Sequence, residues 1–129
     1  MEYTVGQQAF FSKTISESDV LQFAEISGDF NPLHIDPVKA GQSRFGKRVV
    51  HGALINAMVS TVLGMKLPGE GTIYLSQTSR FLKPVFIGDT VTAKVEFLEI
   101  DGRKARLATT VMNQNEEKVL DGEAVVLLP

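Results

Sequence analysis

The chain has 129 residues, 43 % of them hydrophobic, with a formal net charge of -2 at pH 7. That length and apolar content suit one domain whose core needs no disulfide or metal staple. The slight acidity gives no electrostatic basis for binding nucleic acid or an anionic membrane, and the absence of cysteine excludes thiolate nucleophiles and cysteine metal sites.

The opening stretch MEYTVGQQAF has no basic segment leading into an apolar run, so it does not read as a secretory signal. QQAFFSKT is a candidate strand. A helix is expected over SESDVLQFAEISGD, where Ser16 caps the start, Asp19 stands in the capping-box position, Val20, Phe23 and Ala24 follow at helical spacing, and Gly28 ends the run. Asn31-Pro32 and Asp36-Pro37 then forbid a continuous helix, while PVKAGQS fits a short one with Asp36 as its cap. Residues 51 to 66 form the most hydrophobic helix candidate, apolar around nearly its whole circumference, which predicts a helix wrapped by other structure. Asn56, Ser60, Thr61 and Gly64 interrupt this stretch, leaving it too short and too polar for a membrane span. A cytoplasmic protein is expected.

The second half changes to a period of two. TIYLSQTSRFLKP and TVTAKVEFLEI alternate, with Val91, Ala93, Val95 and Phe97 on one face. IDGRK supplies an Asp-Gly hairpin turn, and ARLATTVMNQ and KVLDGEAVVLLP give two further strands. The expected architecture is α+β: one long helix followed by an antiparallel meander that curves around it.

Asp29 and His34 lie five positions apart in GDFNPLHIDP. One reading is a polar helix-stop loop. The other is a carboxylate and an imidazole aimed into one pocket, where a shared water lets one remove a proton and the other deliver one. Too few other His or Cys residues accompany them for a zinc site, so no metal is expected. His51-Gly52 sits where the long helix begins. There His51 reads as a cap, and Gly52 either permits tight packing or lets a ligand carbonyl approach the unpaired N–H groups of the first turn, as in an oxyanion hole. Ser60 either bonds a carbonyl one turn back or points into the pocket.

AEISGDFNPLHIDPVKA resembles the signature of the MaoC-like (R)-specific enoyl-CoA hydratases: Gly-Asp-x-Asn-Pro-aliphatic-His, with a small residue six positions after the His. Asp29, Asn31, Pro32, Leu33, His34 and Ala40 fall in place, and the similarity continues through VVHGALINAMVS, LPGEGTIYLSQTSRFLKPVFIGDTV and GEAVVLLP. The resemblance implies a hot-dog fold over residues 1–129 and reversible addition of water to a trans-2-enoyl-CoA, giving the (R)-3-hydroxyacyl-CoA. It implies Asp29 and His34 as the catalytic pair, Gly52 as the donor to the thioester carbonyl, and Ser60 at the active site. No cofactor is implied beyond the CoA of the substrate, and the expected assembly is a homodimer. Leu63, three residues after Ser60, and Val126 are expected at the floor of the acyl pocket, which suggests tails of about four to six carbons, each unaccommodated methylene forfeiting about 0.8 kcal/mol of burial. Rival readings are an acyl-CoA thioesterase and a non-catalytic acyl-CoA-binding protein. Arg44, Lys47 and Arg48 read either as a solvated loop or as a contact for an acyl carrier protein or a CoA phosphate.

Overall fold

The computed structural model describes residues 2–129. Its strands follow the period-two pattern most clearly in β3 (Thr90–Asp101), β4 (Lys104–Met112) and β5 (Lys118–Leu127). Val91, Ala93, Val95 and Phe97 of β3 face the core with Ala105, Leu107 and Val111 of β4 and Ala124 and Val126 of β5. The two-residue turn between Asp101 and Lys104 carries Gly102 at φ 62°, the positive-φ conformation such a hairpin turn requires.

These three strands form a meander, but the strand before them does not join it. β2 (Ile73–Phe81) pairs with β5, and β1 (Gln8–Thr14) pairs with β3, giving one antiparallel sheet in the order β1-β3-β4-β5-β2. The connection from β2 to β3 is what separates them. Val85 is buried and accepts a hydrogen bond from the Val50 N–H, and further along Asp89 accepts one from Ile15 beside β1. The chain therefore crosses the end of the sheet before β3 begins.

Among the described residues, four helices complete the fold. α1 (Glu17–Ser27) has the expected capping box of Ser16 and Asp19 and ends at Gly28 in the left-handed region, φ 81°. The backbone N–H of Ser16, bonded to the Asp19 carboxylate, holds that carboxyl below the usual aspartate range. α2 (Pro32–Ile35) is a single turn set off from its neighbours by the two prolines, as the sequence predicts; Pro32 occupies its first position, where no N–H is needed. α3 (Pro37–Gly41) is capped by Asp36. α4 (Gly52–Met65) lies on the sheet and buries Leu54, Ile55, Met58, Val59, Val62 and Leu63 against it.

α4 is covered on one side only. Ala53, Ser60 and Met65 are exposed, Met65 to 78 %. Five strands curve around half of a helix, so an all-round apolar sequence leaves a face for something else to cover. Ser79 donates to the Asn56 side chain (2.7 Å), tying β2 to α4, and Gln77 donates to buried Thr109 (2.9 Å). No helix among the described residues is long and apolar enough to cross a membrane.

Where β5 passes β2, a β-carbon on Gly122 would stand 1.8 Å from the Thr78 carbonyl oxygen, a backbone atom. Gly122→Ala should therefore destabilise the protein by about 3 kcal/mol or more, the upper range for overpacking. Denaturant midpoints of the two proteins measure the difference.

Candidate active site

Asp29 follows directly from the end of α1. The left-handed turn at Gly28 redirects the chain, and the Asp29 N–H donates to Ser27 Oγ (3.2 Å). The Asn31 N–H then donates to Asp29 Oδ1 (3.1 Å). One carboxylate oxygen is thus held by the backbone and the other, Oδ2, remains available. Asn31 in turn accepts from the Leu33 N–H and caps α2, the turn that carries His34.

His34 is held more firmly. Its Nδ1 lies 2.6 Å from the Val49 carbonyl oxygen, which can only accept, so Nδ1 carries the hydrogen and Nε2 is left for chemistry. That Nε2 is 4.0 Å from Asp29 Oδ2. The gap is too long for a direct hydrogen bond, yet a water placed about 2.8 Å from each atom bridges it at roughly a right angle. The Asp29 side chain is half exposed and His34 nearly covered.

His51 occupies the N-cap position of α4 as expected, but its side chain makes no cap bond. Its ring is 1 % exposed; Nε2 lies 3.0 Å from the backbone carbonyl of Asp29, and the ring stacks on His34 with centroids 3.9 Å apart. Sequence reasoning missed this role because the partner lies 22 positions away. Gly52 follows at the start of α4. Among the described residues, neither its N–H nor that of Ala53 has a hydrogen-bond partner, leaving donors at the positive end of a helix.

His34 and Gly52 line one apolar cleft of about 500 Å³, walled by Leu33, Ile55, Val85 and Val119. Exposed Arg44, Phe81 and Lys83 also border it. Phe81 leans over the glycine: a β-carbon on Gly52 would stand 2.9 Å from its ring. The other expected residues lie elsewhere. Ser60 is exposed on α4, two turns beyond Gly52 and about 12 Å along the helix axis. Leu63 and Val126 are buried in the core cluster. A spacing of three does not put Ser60 and Leu63 on one side here, because the boundary between the buried and open faces of α4 passes between them. Of the three basic residues, Arg48 is a structural tie: it donates to the His34 carbonyl (2.7 Å) and to Glu17 (2.9 Å).

Asp29, His34 and His51 each place a potential metal-binding atom within 4.8 Å of the others. The stacking argues against joint ligation. The ring planes differ by only 28°, so their in-plane lone pairs do not converge on a single ion. One ring would have to leave the stack.

A helix packed into one curved antiparallel sheet, with a carboxylate and an imidazole near its N-terminal end, is a hot-dog fold. The chain belongs to the MaoC-like domain family, whose model matches residues 3–119. It is 48 % identical over 127 residues to a 3-hydroxybutyryl-CoA dehydratase of Methylorubrum extorquens, covering 97 % of this chain and 80 % of that one. It is 46 % identical over 127 residues to an (R)-specific enoyl-CoA hydratase of Aeromonas caviae, covering 97 % and 95 %. The solved structure of an (R)-hydratase from A. caviae involved in PHA biosynthesis superposes with a TM-score of 0.96 at 44 % identity over 98 % of both chains.

The bond to Val49 makes a specific spectroscopic prediction. In nitrogen-15 spectra, the neutral form of His34 should appear as the Nδ1–H tautomer. An Nε2–H signal would contradict the assignment of Nε2 as the free nitrogen.

Proposed function

We propose that the protein is an (R)-specific enoyl-CoA hydratase that adds water reversibly to short trans-2-enoyl-CoA substrates. The observation that carries this reading is the water-sized gap between Asp29 Oδ2 and His34 Nε2, with His34 lining the same cleft as Gly52 at the unpaired start of α4. In the hydration direction Asp29 is the carboxylate and His34 the imidazolium. The bridging water attacks C3 and gives its proton to Asp29, while His34 delivers its Nε2 proton to C2. Electron density passes through C2 onto the thioester oxygen, where the Gly52 N–H receives it; one such donor is worth about 3 to 4 kcal/mol in the transition state. Water and proton arrive from the same side, so addition is syn. At the end Asp29 is protonated and His34 neutral, the state from which dehydration starts. The pair holds one transferable proton in either direction. No step needs a cofactor other than the CoA of the substrate.

Three features support a homodimer. β2 is an edge strand with Ile73, Tyr74 and Leu75 exposed, Phe81 and Leu82 are exposed at its end, and the outer face of α4 is uncovered. An open, apolar edge strand invites pairing with a second copy. Such pairing would also cover the exposed stripe of α4 on which Ser60 sits, so Ser60 joins a site only across that interface. The similarity to a 3-hydroxybutyryl-CoA dehydratase supports a short-chain preference, with Leu63 and Val126, buried between α4 and the sheet, as the proposed end of the acyl tail.

The purified protein should hydrate crotonyl-CoA to the (R) product, followed by loss of the conjugated enoyl absorbance and chiral analysis. An (S) product, or release of free CoA without hydration as a thioesterase would give, rejects the proposal. Across a series of enoyl lengths the rate should fall beyond about six carbons, and Leu63→Ala should move that limit upward while losing about 2 to 5 kcal/mol of stability to the new cavity.

Asp29→Asn and His34→Ala should each lower kcat by roughly 10²-fold or more. The double variant should lose far less than the product of the two, since the residues share one water; multiplicative losses would separate them. Sedimentation equilibrium should find a dimer at assay concentration, against which an active monomer would count.

A further inference from the structure

We infer that His51 is a positioning residue for the reaction, holding the Asp29–His34 pair in register with the N-terminus of α4. The inference rests on the hydratase reading of the site. His51 is the N-cap residue of α4, yet its buried imidazole makes no cap bond. Its Nε2–H donates to the Asp29 backbone carbonyl (3.0 Å), which fixes the bend that presents the Asp29 carboxylate. Its ring lies against His34 at 3.9 Å and 28°, which fixes the plane in which His34 Nε2 points. Phe23 of α1 also packs against His51, its ring 4.9 Å away and tilted by 59°.

The peptide of the same residue leads into α4. The His51 carbonyl accepts from the N–H groups of Leu54 (3.0 Å) and Ile55 (3.2 Å), and the next N–H in the chain is that of Gly52. One residue therefore bonds the loop that bears the proton-transfer pair and opens the helix that bears the carbonyl donor. With Nε2 donating, Nδ1 carries the lone pair, and among the described residues it is buried without a partner. A nitrogen left so is costly, and an apolar side chain would fill the space without that cost. What an apolar side chain would lack is the donor to Asp29. The titratable groups gathered with the ring are the Asp29 carboxyl and the His34 imidazole, so a displaced ring acts directly on the pair.

The test separates the two contacts. His51→Gln keeps a donor near the Nε2 position and loses the ring; His51→Phe keeps a ring and loses the donor. Turnover of crotonyl-CoA by the unaltered protein comes first, and its failure would reject the hydratase reading rather than this inference. Given that turnover, each variant, checked for folding by circular dichroism, should lose about 10- to 100-fold in kcat, the scale of a misplacement near 1 Å. KM should stay within about threefold. The kcat against pH profile should also change in both variants, a readout that a loss of folded protein alone would not move. His51→Ala, which loses both contacts, should fall below either, so that Gln shows partial rescue. A folded variant with unchanged kcat and pH profile, or a loss confined to KM, overturns the inference. Should every variant fail to fold, nitrogen-15 spectra of the unaltered protein decide. An exchange-protected His51 Nε2–H supports the inference, and an Nδ1–H tautomer refutes it.

Discussion

Three residues of extended chain, Arg48 to Val50, hold the site together by bonding in two directions at once. Towards α2, the Val49 N–H donates to Leu33 (3.1 Å), Val49 accepts from His34 Nδ1, and Arg48 donates to the His34 carbonyl. Towards the sheet, Val50 donates to Val85 (2.7 Å) and Val49 bridges Phe86. Each such bond contributes only about 1 kcal/mol net. Together they fix the one-turn helix α2, which is too short to be stable alone. Cutting this strap would leave His34 on a loop with no fixed relation to Gly52.

The strap is itself anchored by burial. Val50 and Val85 belong to the core that α4 forms with the sheet, and each fully buried valine or leucine is worth about 1.5 to 3 kcal/mol. The polar site thus takes its rigidity from apolar packing immediately behind it. Its own hydrogen bonds decide direction more than strength: Oδ1 of Asp29 is held by Asn31 and Nδ1 of His34 by Val49. In both groups the atom left over is the one that faces the other. That division of labour gives a carboxylate and an imidazole, each unremarkable in type, a defined gap for water.

The same packing leaves the molecule one-sided. The sheet covers the inner face of α4, while β2 ends the sheet with apolar side chains outward. Placing β2 beyond β5 puts this open edge beside the exposed stripe of α4, joined to it by the Ser79–Asn56 bond. The open edge and the cleft are therefore neighbours, since Phe81 at the end of that edge also leans over Gly52.

What the sequence by itself determined is what depends on neighbours along the chain. The alternation in β3 to β5, the capping box of α1, the stop at Gly28, the Asp-Gly turn and the spacing of Asp29 and His34 were all legible, because each rests on residues within a few positions of one another. The family signature was legible for the same reason, being one continuous run. Tertiary structure alone decided the rest. The place of β2 followed from where its connection to β3 is buried, and the opposite fates of Ser60 and Leu63 followed from how far a five-stranded sheet reaches around a helix. The role of His51 followed from a carbonyl 22 residues away and a ring 17 residues away. Local pattern records which residues suit a helix, a strand or a turn; it holds no record of which distant groups come within 3 or 4 Å, and at this site those distances are what distinguish a buried cap from a residue that aims the chemistry.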